Sequence, residues 1–297
     1  MRKAVIVAAA LLVAMLTPAP ASAWGAVAHR YIMRRAIELL PPQIKPFFES
    51  NRDELVLRVN DPDLWRVVGF EEEPPNHQID FGVDDYGPYP FTALPREYDA
   101  AVEKFGVAVV RRHGTLPWRT MEEFGNLRRM FQGFARSQLY VGGNTVLFAS
   151  TVSHYIQDAH QPLHVHNNYD GQLSGQTGLH SRFESELFER FESRLTIKPA
   201  PVRPVTNSRD FIFEIAIASH QLVPRILKAD RDAIGAHDTY DDAYFERFLA
   251  NIKPVLEQQL AASITATASA IVGAWTEAGK PELRTGVPRP IQKVKKP

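Results

Sequence analysis

Two residue pairs, His154 with Asp158 and His180 with Glu184, constrain this chain more than any other feature. Each is spaced i, i+4, which on a helix puts both side chains on one face about one turn apart. The pairs fit a helix on either side of the segment between them. His164 follows Asp158 by six residues, just past Pro162, which ends the first helix. Three imidazoles and two carboxylates are the ligand types of a zinc site. Carboxylates also bridge ions, so the pattern accommodates more than one metal. One His-x-x-x-Asp pair alone is more often solvated or capped; two, with His164 between them, point to metal.

The rest of the chain is consistent with helices. Apolar residues recur at helical spacing over 31–40, 44–54, 98–113, 120–137, 145–160, 179–195, 210–229, 241–248 and 255–276. No segment sustains strand-like alternation and no internal repeat is apparent. The expectation is an all-α protein with a single multi-helix domain over 24–283. Residues 86–95 are rich in Gly, Pro and aromatics and read as a long loop. Tyr86, Tyr89 and Phe91 there, with Tyr169 in the Gly/Asn/Gln loop 167–178, are candidate substrate contacts. They serve equally as packed aromatics.

At 297 residues the chain is long enough to bury a sizeable core. It has no cysteine, so no disulfide forms and any zinc must sit on His, Asp and Glu. The formal net charge is zero but unevenly placed: residues 24–283 carry all 34 acidic side chains and 27 basic ones, a net of −7. An acidic body argues against a broad basic groove for nucleic acid; bound divalent cations would offset that charge.

The N-terminus has the order of an export signal. Arg2 and Lys3 precede an apolar run over 4–16, then Pro18, Pro20 and Ala21-Ser22-Ala23, an A-x-A cleavage pattern. The run is short for a membrane span, and no later stretch suits one. Cleavage after Ala23 makes Trp24 the first residue of an exported protein, periplasmic or secreted. Residues 284–297 are basic and Pro-rich and read as a disordered tail.

At this level of detail the chain resembles the superfamily joining bacterial zinc-dependent phospholipase C to the single-strand-specific nucleases of type I. The resemblance rests on Trp-Gly-x-x-x-His at Trp24 to His29, Asp63 shortly before Arg66, His77 in His-x-Ile-Asp, the His154, Asp158 and His164 series, and His180 with Glu184. It covers most of residues 24–283 in order and spacing. It implies three zinc ions in a cleft: one on Asp63, His77, His154 and Asp158; a second on His164, His180 and Glu184; a third on the Trp24 amine and carbonyl, His29 and the bridging Asp158. Asp61 is a near alternative to Asp63. The resemblance further implies a metal-activated hydroxide attacking a phosphodiester, with Asp63 orienting or deprotonating the water. Arg66 contacts the phosphate or pairs with Asp63. His160 reads as a supporting residue at best, and His113, His220 and His237 as surface or capping residues.

The substrate signals are mixed. Trp-Gly-x-x-x-His and His-Gln-Pro-Leu-His are nuclease-like. Glu184 in place of Asp, the short loop between His164 and His180 and the acidic body are closer to phospholipase C. The expected substrate is a phospholipid, with single-stranded nucleic acid as the alternative and a monomer as the expected state. A non-catalytic metal-stabilised binding module is the reading from a different class.

Overall fold

The computed structural model describes residues 24–285. The leader read over 1–23 and most of the tail, 286–297, lie outside the described residues. All regular structure among the described residues is helical, and no described helix is long and apolar enough to cross a membrane.

Among the described residues the α-helices follow in order: α1 (Ala26–Glu38), α2 (Lys45–Ser50), α3 (Arg52–Arg58), α4 (Asp61–Val67), α5 (Tyr98–Phe105), α6 (Val107–His113), α7 (Leu116–Ala135), α8 (Val141–His160), α9, α10 (Ser208–His220), α11 (Val223–Ile234) and α12 (Asp242–Glu277). Helix α9 is composite: Leu179–Ser181, a π turn at Arg182–Glu186, then Leu187–Phe191. Short 3-10 turns at Pro74–His77 and Pro162–Val165 lie beside the site.

Helix α8 is the axis of the molecule. It packs against α7, α12, α3, α10 and α1, and every residue from 149 to 160 is buried. A helix buried all round is normally apolar all round, yet this one carries Ser150, Thr151, Ser153, His154, Gln157, Asp158 and His160 inside. Small hydroxyl residues let neighbours approach closely, and their donors are satisfied locally. Ser150 Oγ donates to the Leu55 carbonyl, Thr151 Oγ1 to Glu123, and Ser153 Oγ back to Ala149. The larger polar groups of the last two turns face the site.

Helix boundaries depart from the periodicity in several places. The stretch expected as one helix over 44–54 is two, Lys45–Ser50 and Arg52–Arg58, and Asp61–Val67 is a helix that the periodicity did not show. The helix expected over 98–113 is two, because Gly106 sits at φ 83°, open to glycine and strained for other residues. The one expected over 210–229 breaks at Gln221 and Leu222, and Pro224 starts α11. Conversely, 241–248 and 255–276 are parts of one 36-residue helix with Pro254 inside it. Proline removes an N–H and crowds the preceding turn, but Phe248, Leu249 and Ile252 before it and Val255 and Leu256 after it are all buried. Packing on both sides holds the axis through the proline.

Candidate metal centre

The last two turns of α8 carry His154 and Asp158, and the chain beyond Gln161 turns back to deliver His164 from the 3-10 turn. Around them gather His29 from α1, Asp63 from α4, His77 from the turn Pro74–His77, and His180 and Glu184 from α9. All eight side chains are buried. They fall into three groups whose ligand atoms lie within 4.8 Å of one another: His29, His154 and Asp158; Asp63, His77 and His154; His164, His180 and Glu184. The π turn belongs to this design. It widens the helix between His180 and Glu184, a place where such turns often mark functional sites.

Tautomers decide what the third group can hold. His164 Nδ1 lies 2.5 Å from the His77 carbonyl and His180 Nδ1 3.0 Å from the Tyr169 carbonyl. A carbonyl only accepts, so both Nδ1 atoms carry the proton and both Nε2 atoms present bare lone pairs when the rings are neutral. Those two Nε2 atoms face each other at 3.1 Å, with Glu184 Oε2 at 3.0 Å from one and 3.6 Å from the other. Three electron-pair donors converging in a buried space form a group that could hold a metal ion. Ring N–H groups anchored on backbone carbonyls are also how metal-bound imidazoles are usually oriented. Gln161 steadies the carboxylate: its Nε2 donates to Glu184 Oε2 at 3.0 Å.

The other two groups share His154 and surround Asp158. His154 Nδ1 donates to the Val59 carbonyl at 2.7 Å, which leaves Nε2 bare, 3.1 Å from His77 Nδ1 and 3.3 Å from Asp158 Oδ2. His29 Nδ1 donates to Gln157 Oε1 at 2.6 Å, which turns its Nε2 toward Asp158 Oδ1 at 3.4 Å. His29 Nε2 and Asp158 Oδ1 are both buried without a hydrogen-bond partner among the described residues. Such orphans are costly unless something else satisfies them. Asp158 thus offers one oxygen to each group, the arrangement of a bridging carboxylate. The residues present fit metal ions of the borderline kind that nitrogen and oxygen donors hold.

The electrostatics agree. Burial alone would raise the Asp158 carboxyl, but His154 and His164 outweigh it and hold it well below the usual carboxylate range. Burial likewise opposes Glu184, yet His180 and His164 bring it down to about 2. His29 is pushed down by burial and by neighbouring His154. Burial pulls His77 down, but hydrogen bonds to Asp158 and Glu73 dominate and lift it to about 9. His180 is likewise raised, by Glu184 against burial.

Of the two carboxylates in Asp61-Pro62-Asp63, Asp63 joins the cluster, 3.9 Å from His77 Nδ1. Asp61 instead pairs with Arg58 at 3.3 Å. Arg66 Nη2 lies 3.4 Å from Asp63 Oδ1, the pairing role rather than an outward-facing one. The Trp24 side chain is fully buried, its Nε1 donating to the Gln157 carbonyl at 2.7 Å, so it sits one residue from Asp158. Tyr89 and Tyr169 are exposed, as a substrate contact requires. Tyr86 and Phe91 are not: both are buried, Tyr86 against Phe105 and His113, and Phe91 stacked on Phe81. For these two the packing role holds. His160 is buried away from the ligand atoms, and burial drives its pKa down to about 3. His220 packs edge-on against Phe81 and Phe91 instead of standing at the surface.

Four supporting residues escaped the sequence reading. Glu73 Oε1 lies 3.3 Å from His77 Nε2 and accepts from Tyr155 Oη at 2.5 Å. Gln157 and Gln161 brace His29 and Glu184 as described. Asp170 accepts from the backbone N–H groups of Gly178 and His180 and fixes the start of α9. Glu73 had a signal, an i, i+4 spacing to His77 like the two pairs already noticed.

No protein-family profile matches the chain, and no curated protein matches it.

Proposed function

We propose that this protein is an exported zinc-dependent phosphodiesterase with the fold and three-ion centre of the phospholipase C and nuclease type I superfamily, acting as a phospholipase C. The observation that supports this most is the pair of bare Nε2 atoms of His164 and His180 facing each other beside Glu184. With the groups around Asp158, it supplies donors for more than one ion without any thiolate. Zinc held by neutral imidazoles and carboxylates acidifies a bound water to a hydroxide near neutral pH and stabilises negative charge on a phosphoryl oxygen.

The chain's own residues have definable tasks. Asp158 joins two groups through its two oxygens. Backbone carbonyls of Val59, His77 and Tyr169 hold three imidazoles in the tautomer that aims Nε2 inward. Asp63 stands at the rim of the cluster, 6% exposed, where a carboxylate can accept a proton from an entering water. Arg66 holds Asp63 in place. Glu73 takes the outer nitrogen of His77. Tyr169 is 40% exposed, and its backbone carbonyl anchors His180 of the third group, which brings an exposed aromatic residue to the neighbourhood of the site. An aromatic face there suits a choline cation and equally a nucleobase. That is the specific ground for keeping the nuclease as the second reading.

The test is metal analysis of the purified protein, followed by parallel assays on phosphatidylcholine, single-stranded DNA and RNA, with and without chelator. About three zinc ions with chelator-sensitive lipid cleavage is the expected result. Cleavage of single strands alone would replace the lipase with the nuclease. Zinc without turnover would leave a metal-stabilised binding module, and absence of metal would overturn the reading.

A further inference from the structure

Helix α4 buries Pro62 and Asp63 on its inner side, and its far end is apolar and bare. Leu64, Val67 and Val68 are 54, 65 and 71% exposed, and Phe70 just beyond the helix is 61% exposed. Leu64, Val67 and Val68 stand at i, i+3 and i+4, one face of the helix. The end is closed by a paired cap: Gly69 N donates to the Arg66 carbonyl at 3.2 Å and Phe70 N to the Trp65 carbonyl at 3.0 Å, with Gly69 at φ 94°. Phe70 is therefore held by backbone hydrogen bonds as part of a fixed tip. Exposed apolar residues scattered singly need no explanation, but clusters mark contact sites.

Three observations choose the partner. Two charges beside the tip are already paired, Arg66 with Asp63 and Glu72 with Arg111. No basic cluster flanks the tip, and Glu71 and Glu72 follow Phe70 directly, which disfavours a polyanion such as nucleic acid. Four side chains fall far short of the ~20–30 residues and ~800 Å² per partner of a stable protein interface. A few apolar side chains do suffice to reach the headgroup and acyl boundary of a bilayer. Finally, Asp63 precedes Val67 by four residues, a rise of about 6 Å along the helix. A surface touching the tip lies close to the cluster.

We propose that the α4 tip, Leu64, Val67, Val68 and Phe70, seats the protein on a zwitterionic phospholipid bilayer and holds the metal centre beside the headgroups. The proposal rests on the phosphodiesterase reading and deepens it by selecting lipid as the substrate class.

The experiment uses metal-loaded protein recovered from an exporting host, floated with vesicles of a phosphatidylcholine analogue whose scissile glycerol–oxygen–phosphorus link is a phosphonate, so that no turnover intrudes. The wild type is compared with the triple variant V67S/V68S/F70S, with metal content checking that the centre is intact in both. The expected result is at least a tenfold loss of vesicle binding in the variant. As an independent measurement, Phe70→Trp should show a blue-shifted indole emission on vesicles. Equal binding by wild type and variant, or an indole still in water, overturns the proposal. Tip-dependent binding of single-stranded DNA in place of vesicles, or a concentration-dependent dimer that the variant abolishes, overturns it in favour of those partners. A soluble chromogenic phosphodiester separates the two layers. Vesicle binding without its hydrolysis sinks the phosphodiesterase reading and leaves the docking surface; hydrolysis without vesicle binding does the reverse.

Discussion

Asp158 faces His29 with one carboxylate oxygen and His77 and His154 with the other. Replacing it by asparagine keeps the volume and removes the charge that two groups share. Asp158→Asn is therefore expected to lose more than one equivalent of metal, while His164→Ala loses only the ion of the third group; metal analysis that finds full content in either variant contradicts the assignment. Proton competition gives a second prediction. In the metal-free protein His77 titrates at about 9, above the ordinary 6.5. Its contribution to metal-free stability is fully present below pH 6.5 and is lost as pH rises through about 9. Metal binding at its group must expel that proton, so apparent affinity is expected to fall about tenfold per unit as pH drops below 9. Asp158 and Glu184 run the other way: depressed carboxylates contribute above their ordinary range and lose it as pH falls, near 2 for Glu184. Zinc titrations across pH 6 to 9 check this, and a flat affinity would contradict it. Residues of the cluster were legible in the sequence because helical spacing puts His154 with Asp158 and His180 with Glu184 on common faces. Gln157 and Gln161 were not, since their partners His29 and Glu184 come from other helices and only the folded chain brings them together.

At the scale of elements, α9 is fastened by a buried ion pair. Arg182, inside the π turn, donates to Asp230 of α11 at 3.0 Å, and Tyr244 of α12 bonds to the same carboxylate. Both charges are buried. Removing one leaves the other uncompensated, so Asp230→Ala is expected to cost about 3–5 kcal/mol in denaturant unfolding; a loss under 1 kcal/mol would show that the pair does not hold α9. Gly273 gives a smaller test of the same kind. Alanine is the better helix former by about 1 kcal/mol, yet a Cβ there would run into the Val205 backbone. Gly273→Ala is expected to destabilise rather than stabilise, by about 1–3 kcal/mol as overpacking does. Periodicity located most helices but not their breaks. Gly106, Pro224 and Pro254 carry similar breaking signals, and whether the chain stops or runs on there depends on buried neighbours that no local pattern displays.

Across the whole molecule the three groups draw distant segments together. Their side chains come from α1, α4, α8, α9 and two 3-10 turns, so residues from 29 to 184 meet at one point. Ions bound there stabilise the native state by mass action, about 2.7 kcal/mol each at a free concentration one hundred times Kd. At roughly 2–4 °C per kcal/mol for a chain of this size, chelation is expected to lower Tm by roughly 5–10 °C per ion removed. An unchanged Tm in calorimetry would mean that the groups hold nothing. The all-helical class was legible from periodicity alone, because each long helix has its own apolar face. The exposed tip of α4 was not, because no periodic stretch marked 61–67 as a helix and only the fold shows that Leu64, Val67 and Val68 are left uncovered. Anomalous diffraction above and below the zinc edge tests whether the three buried groups each hold a zinc ion, as we propose. Three peaks are expected: one between His164, His180 and Glu184, and two on either side of Asp158, toward His29 and toward His77. A map without zinc peaks at these groups, from protein purified without chelator, would contradict the proposal.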